Sequence, residues 1–113
     1  MLARKKLIPL KKEFGRIRKT AKSYDSPSFG LLVTYGSTTA QAAFIVSKKV
    51  SKSSVVRHDV KRKLSDAITS FLPRLAKNTE LVFLAKPKAV ESTREELKKE
   101  VEAVLQRSRL VAV

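Results

Sequence analysis

The sequence predicts an α+β fold, a small mixed sheet with helices packed on it, in the order α-β-β-β-α-β-α. Apolar residues recur at helical spacing in three segments. Two or three short runs between them are rich in β-branched and aromatic residues, and turn chemistry separates the segments. A chain of 113 residues that is 42% hydrophobic suffices for one modest core, so residues 1–113 are read as a single domain.

The elements follow in order. In residues 9–21 (PLKKEFGRIRKTA), Pro9 suits a first helical turn, and Leu10, Phe14, Ile17 and Ala21 form one apolar stripe. Gly15 costs that helix about 1 kcal/mol relative to Ala, so packing must hold it. Residues 24–28 (YDSPS) read as a turn. Residues 29–35 and 41–49 read as two strands of an antiparallel hairpin joined by GSTT. One face of the second strand should meet helices, and the other should form a shallow surface. Val56, Val60, Leu64, Ala67, Ile68, Phe71, Leu72 and Leu75 mark a helix over 54–75, with a serine N-cap and Pro73 kinking or ending its last turn. Residues 80–86 (ELVFLAK) read as a buried strand. The closing helix carries Leu97, Val101, Val104 and Leu105 on one stripe, with Ser92 and Glu95 at capping-box spacing and a supportive Glu95–Lys99 pair.

Charge narrows the function. Twenty-five Lys and Arg against ten Asp and Glu leave +15, which calls for a polyanionic partner. Residues 1–63 carry +13 of this and residues 64–113 only +2. No window approaches the ~18 apolar residues of a membrane span, and the basic N-terminus lacks a signal peptide's roughly 7–15-residue apolar run. No amphipathic helix with a continuous basic face points to a membrane surface. Without cysteine there is no disulfide framework or thiolate metal site, which fits a reducing, cytoplasmic location.

Seven cations lie in residues 46–64, VSKKVSKSSVVRHDVKRKL: Lys48, Lys49, Lys52, Arg57, Lys61, Arg62 and Lys63. On a helical wheel Arg57 and Lys61 fall on or beside the apolar arc of Val60, Leu64, Ile68 and Phe71. His58 and Arg62 sit one step round, and Lys63 points elsewhere. Unpaired charge is expensive on a buried face, so the first turns should overhang the sheet and present their cations. Lys and Arg neutralise phosphates, Arg can grip two oxygens at once, and the free N–H groups of a helix start add an anion site. The bland alternative is a solvated basic face; the clustering and lopsided charge favour nucleic acid. His58, the sole histidine, lacks the partners for a metal site or a general base, so no catalytic or metal residue is assigned.

The segment SKKVSKSSVVRHDVKRKLSDAI resembles the signature of the protein subunit of bacterial ribonuclease P: a Ser-Lys-Lys strand end, a loop, Arg-Asn-Arg, then Lys-Arg on a helix. Ser47, Lys48, Lys49, Arg57, Lys61 and Arg62 fall on matching positions. LKKEFGRI, ELVFLAKP and STREELKKEVEAVL are similar to the family's first helix, its strand-to-Ala-Arg-Pro segment and its last helix. Departures lie in the signature itself. His58 stands in place of Asn, Asp59 in place of a second Arg or Lys, and Ser53–Ser54 in a loop that is often Lys-Ala. His58 can still donate and accept hydrogen bonds. Asp59 pairs with Arg62 or Lys63, or favours the helix dipole.

The resemblance implies a small basic subunit of a ribonucleoprotein endonuclease whose catalyst is RNA. Mg²⁺, bound mainly by that RNA, activates the water that cuts the 5′ leader from precursor tRNA. The protein alone would not be catalytic, and when free it would be a monomer. Lys48, Lys49, Lys52, Arg57, His58, Lys61, Arg62 and Lys63 would bind ribonuclease P RNA. Phe14, Arg18 and Leu32 would line a cleft for the single-stranded leader. Two of these three depart from the family's common aromatics, so stacking should be weaker and the Arg18 charge more important. The resemblance also implies a left-handed crossover between the third strand and its parallel neighbour, against the usual right-handed rule. The alternative is a structural RNA-binding module, such as a ribosomal protein. A stand-alone nuclease is disfavoured by the lack of a His pair or carboxylate set.

Overall fold

In the computed structural model, residues 7–8, 10–36, 40–76 and 78–108 are described, with backbone alone for 10–13. Helix α1 (Leu10–Thr20) leads into strands β1 (Lys22–Asp25), β2 (Phe29–Tyr35) and β3 (Gln41–Ile45). Helix α2 (Ser54–Thr69), strand β4 (Thr79–Ala85) and helix α3 (Arg94–Arg107) follow, with single 3-10 turns at Leu72–Arg74 and Pro87–Val90. The expected order α-β-β-β-α-β-α is therefore the observed one.

The strands lie in the order β1-β2-β4-β3. β2 pairs antiparallel with β1 and β4, and β3 runs parallel to β4. The expected hairpin of 29–35 with 41–49 does not form, because β4 inserts between the two strands. The reason lies in β4 itself: Leu81, Val82 and Phe83 are all fully buried, so this strand needs cover on both faces and a neighbour on each edge. A hairpin would have left it on an edge. β3 instead reaches β4 through α2, the long crossover that parallel strands require.

Boundaries shift for local reasons. Tyr24 and Asp25, expected in a turn, belong to β1; the turn is confined to 26–28 and closed by Ser26 N donating to Phe29 O at 2.9 Å. β3 stops at Ile45, and Ser47–Val50 turns instead, with Val50 N donating to Ser47 O at 3.0 Å. α2 ends at Thr69 rather than 75. Pro73 can neither donate to the Thr69 carbonyl nor let its ring pass it, so the chain tightens into i→i+3 bonds. The capping box lies one residue later than expected. Glu96 N donates to Thr93 Oγ1 at 3.1 Å, and Thr93 N to Glu96 Oε1 at 2.9 Å. That backbone bond is the main reason the Glu96 carboxyl lies below its ordinary pKa.

Helices α2 and α3 cover one face of the sheet. Their Val60, Leu64, Ile68, Leu97, Val101 and Leu105 pack with Phe29, Leu31, Leu81 and Phe83. Phe29 meets Phe83 edge-on at 5.3 Å, and Phe44 stacks on Phe83 at 5.5 Å. Among the described residues the opposite face is covered by α1 and the segment at Ile8, over a smaller cluster of Ile8, Ile17, Ala43 and Val82. Among the described residues no helix is long and apolar enough to cross a membrane.

Candidate nucleic-acid interface

The basic segment is built by the turn after β3 and the first turns of α2. Ser53 caps the helix, accepting from Val56 N at 3.3 Å. Serines also brace the loop: Lys49 N donates to Ser47 Oγ at 3.3 Å and Ser53 N to Ser51 Oγ at 3.2 Å. Arg57, half-buried, donates from Nη1 to Ser51 O at 3.0 Å and Lys52 O at 3.1 Å, so one corner of its guanidinium holds the loop it projects beside. With Val46, Ser54, His58 and Lys61 it lines a shallow open cavity of about 190 Å³. Lys48, Lys49, Lys52, His58, Lys61 and Arg62 are exposed, as is Val55 on the outward face beside His58 and Arg62.

Among the described residues, none of Lys48, Lys49, Lys52, Arg57, Lys61 and Arg62 has a carboxylate partner. Like charges left this close repel one another, and that repulsion ends when an anion binds. The first turns of α2 thus present Lys61 and Arg62 and half-bury Arg57, although the wheel sets Arg57 and Lys61 on or beside the apolar arc and Lys63 away from it.

Lys63 does not join this cluster, although it was grouped with it in the sequence. It is only 6% exposed, and its ammonium donates to Ala89 O at 2.9 Å, Val90 O at 3.2 Å and Ser92 O at 2.8 Å. An ammonium has three donors, and all three are used inside the fold. Asp59 resolves towards this same group: its Oδ2 lies 4.0 Å from Lys63 Nζ, and Arg62 is not its partner. The acidic residue in the basic motif therefore faces a buried cation rather than the presented ones.

The second candidate surface is the α1 side of the sheet. Rows of side chains run across it: Thr34, Glu80 and Gln41; then Leu32, Val82 and Ala43; then Gly30, Leu84 and Ile45. The chain enters beside β3, where Ile8 N donates to Ala42 O at 3.1 Å. α1 then crosses the sheet and leaves towards β1. Fully buried Ile17 and the contacts of Arg16 and Thr20 keep it over the first two rows. Phe14 and Leu32 are half-buried against the same small cluster and Arg18 is exposed, one helical turn from Phe14. Beside them Leu84 and Ile45 are only partly buried, and Gly30 supplies no side chain. The result is an apolar floor with a cation at its margin.

Sequence reasoning missed two parts of this surface and one feature away from it. Gly30, Ile45 and Leu84 could have been found from strand alternation once β4 was placed centrally. The ion pair of Arg16 with Glu80 joins residues 64 positions apart, and only the charge opening an apolar strand hinted at it. The third is a polar knot between the turn at 26–28 and α3. Glu100 accepts from Ser26 Oγ at 2.6 Å and Ser28 N at 2.9 Å on one oxygen, and from Ser28 Oγ at 2.7 Å on the other. Burial pushes the Glu100 carboxyl up, but these bonds outweigh it and hold it below its ordinary value.

Comparison with known proteins bears on these surfaces. Residues 2–109 match the family model described as Ribonuclease P. The ribonuclease P protein component of Caldanaerobacter subterraneus is 34% identical over 95% of this chain and 94% of its own length. That of Nostoc punctiforme is 53% identical over 47 residues, 42% of this chain and only 34% of the relative. The Staphylococcus aureus RNase P protein superposes with a TM-score of 0.81 at 20% identity, covering 93% of this chain and 96% of that one. The Thermotoga maritima RNase P protein gives 0.77 at 20% identity over 89% and 96%. At such identities the superpositions speak for the fold alone, while the match along nearly the whole sequence carries the assignment: the chain belongs to the ribonuclease P protein family.

Proposed function

We propose that this protein is the protein subunit of a ribonuclease P ribonucleoprotein, an endoribonuclease of tRNA processing whose catalyst is RNA. Lys48, Lys49, Lys52, Arg57, His58, Lys61 and Arg62 bind the RNA subunit, and the Phe14–Arg18–Leu32 cleft holds the single-stranded 5′ leader of precursor tRNA. The observation that carries this reading is the set of presented cations without carboxylate partners, on a chain of this family. A cluster so arranged gains by releasing phosphate counterions and has no carboxylate partner to give up among the described residues. The apolar floor beside Arg18 suits unpaired bases, which stack or pack on such surfaces while a cation takes the backbone. Mg²⁺ is assigned to the RNA. The presented cluster is itself cationic and repels a metal ion.

Reconstitution tests the proposal. The protein is added to a bacterial ribonuclease P RNA at low Mg²⁺, and cleavage of precursor tRNA is followed. Faster cleavage with a leader-dependent gain in affinity is expected. Binding to the RNA with neither gain would instead leave a structural RNA-binding module.

A further inference from the structure

The hold of α1 on the sheet is unusually polar. Among the described residues the cluster under it has four buried members, Ile8, Ile17, Ala43 and Val82, with Phe14, Ala21, Leu32, Ile45 and Leu84 partly buried against them, and apolar packing of this kind sets no single helix angle. Glu80 opens β4 on this face and is 2% exposed, yet it carries a carboxylate. Arg16 Nη2 reaches both its oxygens, at 3.0 and 3.1 Å, and Nη1 lies 3.4 Å from Tyr35 O. One turn on, the Thr20 and Thr34 hydroxyls share a hydrogen bond of 3.0 Å. Gly36 makes room: a Cβ there would stand 3.0 Å from Arg16 Nη1 and 3.4 Å from Glu80 Oε1, and its φ of +145° disfavours any side chain. All these contacts lie at the Thr34–Glu80 end of the sheet, on the side of α1 away from the open row of Gly30, Leu84 and Ile45.

We propose that the Arg16–Glu80 ion pair, seated against Gly36, sets the height and angle of α1 over the sheet and thereby the width of the leader cleft. Arg16, Glu80 and Gly36 are then positioning residues that never touch the leader. A buried carboxylate tolerates no loss of its partner, and a planar guanidinium fork offers few alternative geometries. The pair therefore selects one helix position where non-directional apolar packing would allow several. Phe14 and Arg18 ride on the same helix, so their distance from Leu32 follows from the pair. The inference rests on the leader-cleft reading above.

The test uses the reconstituted holoenzyme and two ligands, precursor tRNA with its leader and the same tRNA with the leader removed. Glu80→Gln and Gly36→Ala disturb the pair at sites the leader cannot reach. Each is expected to weaken binding of the leader-bearing ligand by about tenfold, the scale on which a displaced supporting shell acts. Affinity for the leaderless tRNA and for the RNA subunit should stay unchanged. Arg16→Met should match them, and Arg16→Lys should recover part of the loss. If Arg16→Met loses leader affinity while folded Glu80→Gln and Gly36→Ala keep it, Arg16 is a direct contact and the positioning role is overturned. Phe14→Ala separates the two levels. Loss with Phe14→Ala but none with the other variants rejects the positioning role alone, and silence of Phe14→Ala rejects the cleft and the inference together. Should Arg16→Met fail to fold, Arg16→Lys and Gly36→Ala decide the outcome by the same readout.

Discussion

Arg62 and Lys63 are neighbours on α2 with the same charge and opposite roles. Arg62, with Lys61 and the loop lysines before it, stands in solvent with no carboxylate opposite among the described residues. Lys63 turns inward and spends its ammonium on three carbonyls of the segment between β4 and α3. Behind it, Ser28 shares a 2.8 Å hydrogen bond with Ser92 and donates to Glu100, so the charges of this region are closed upon internal partners. The contrast teaches that charge density does not mark a binding surface; the absence of an internal partner does. A cation already holding three carbonyls would have to surrender them before it could meet a phosphate.

The largest way to break the comparison is Lys63→Met, which keeps the stem and removes all three donors. Unfolding in denaturant is expected to show a loss of about 2–4 kcal/mol, since buried carbonyls are left unpaired and Asp59 loses its counter-charge. RNA affinity of the folded protein should hardly change. Weakened RNA binding with an unaltered unfolding midpoint would place Lys63 back in the interface.

Arg62→Ala should do the reverse. Affinity for the RNA subunit should fall by about three- to tenfold, and the slope of log K against log salt by about one. Stability should hold within about 0.5 kcal/mol. Arg57→Ala sharpens the contrast, because this side chain belongs to both kinds. It should weaken RNA binding comparably and also destabilise by about 1 kcal/mol, through its lost bonds to Ser51 O and Lys52 O. Equal stability of the two variants would mean that the loop does not need Arg57.

Glu100→Gln probes the closed region through pH. The folded carboxyl lies below its ordinary value of 4.5, so its contribution is complete above that value and is lost as pH falls through the folded pKa. The variant should be about 1 kcal/mol less stable than the parent near neutrality, where one of its oxygens becomes an amide facing serine donors. The gap between the two should narrow as the solution is acidified below the ordinary value. A gap independent of pH would assign the loss to shape rather than charge.

How much of this was readable before folding depends on the range of the signal. Val60, Leu64 and Ile68 recur at helical spacing, so the buried side of α2 followed directly, while the presentation of its first cations followed from the cost of burying unpaired charge and not from the wheel. β2 and β3 were legible as strands but not as partners, because alternation says which residues share a face and nothing about which strand lies alongside. The clue was the run Leu81, Val82 and Phe83, apolar on both faces and so central. The α3 cap was misplaced by one residue because Ser92–Glu95 and Thr93–Glu96 offer the same spacing in overlapping frames. Tertiary structure decided between them by taking the Ser92 hydroxyl for Ser28 and its carbonyl for Lys63. Lys63 itself was beyond reach, since its acceptors lie 26 to 29 residues away in a segment with no periodicity to place it.

The smallest effect should come from His58→Asn, which restores the residue the family signature carries. His58 is exposed, lines the cavity with Arg57 and Lys61, and makes no hydrogen bond within the described residues. The substitution therefore removes nothing from the fold, and stability should be unchanged within about 0.5 kcal/mol. Both side chains can donate and accept, so RNA affinity should move by less than about threefold. A larger fall in equilibrium binding, at unchanged stability, would make the imidazole a contact in its own right. It would also add an imidazole to the presented surface, and unspent hydrogen-bonding capacity, which already separates Arg62 from Lys63, would then mark a contact beyond Lys and Arg.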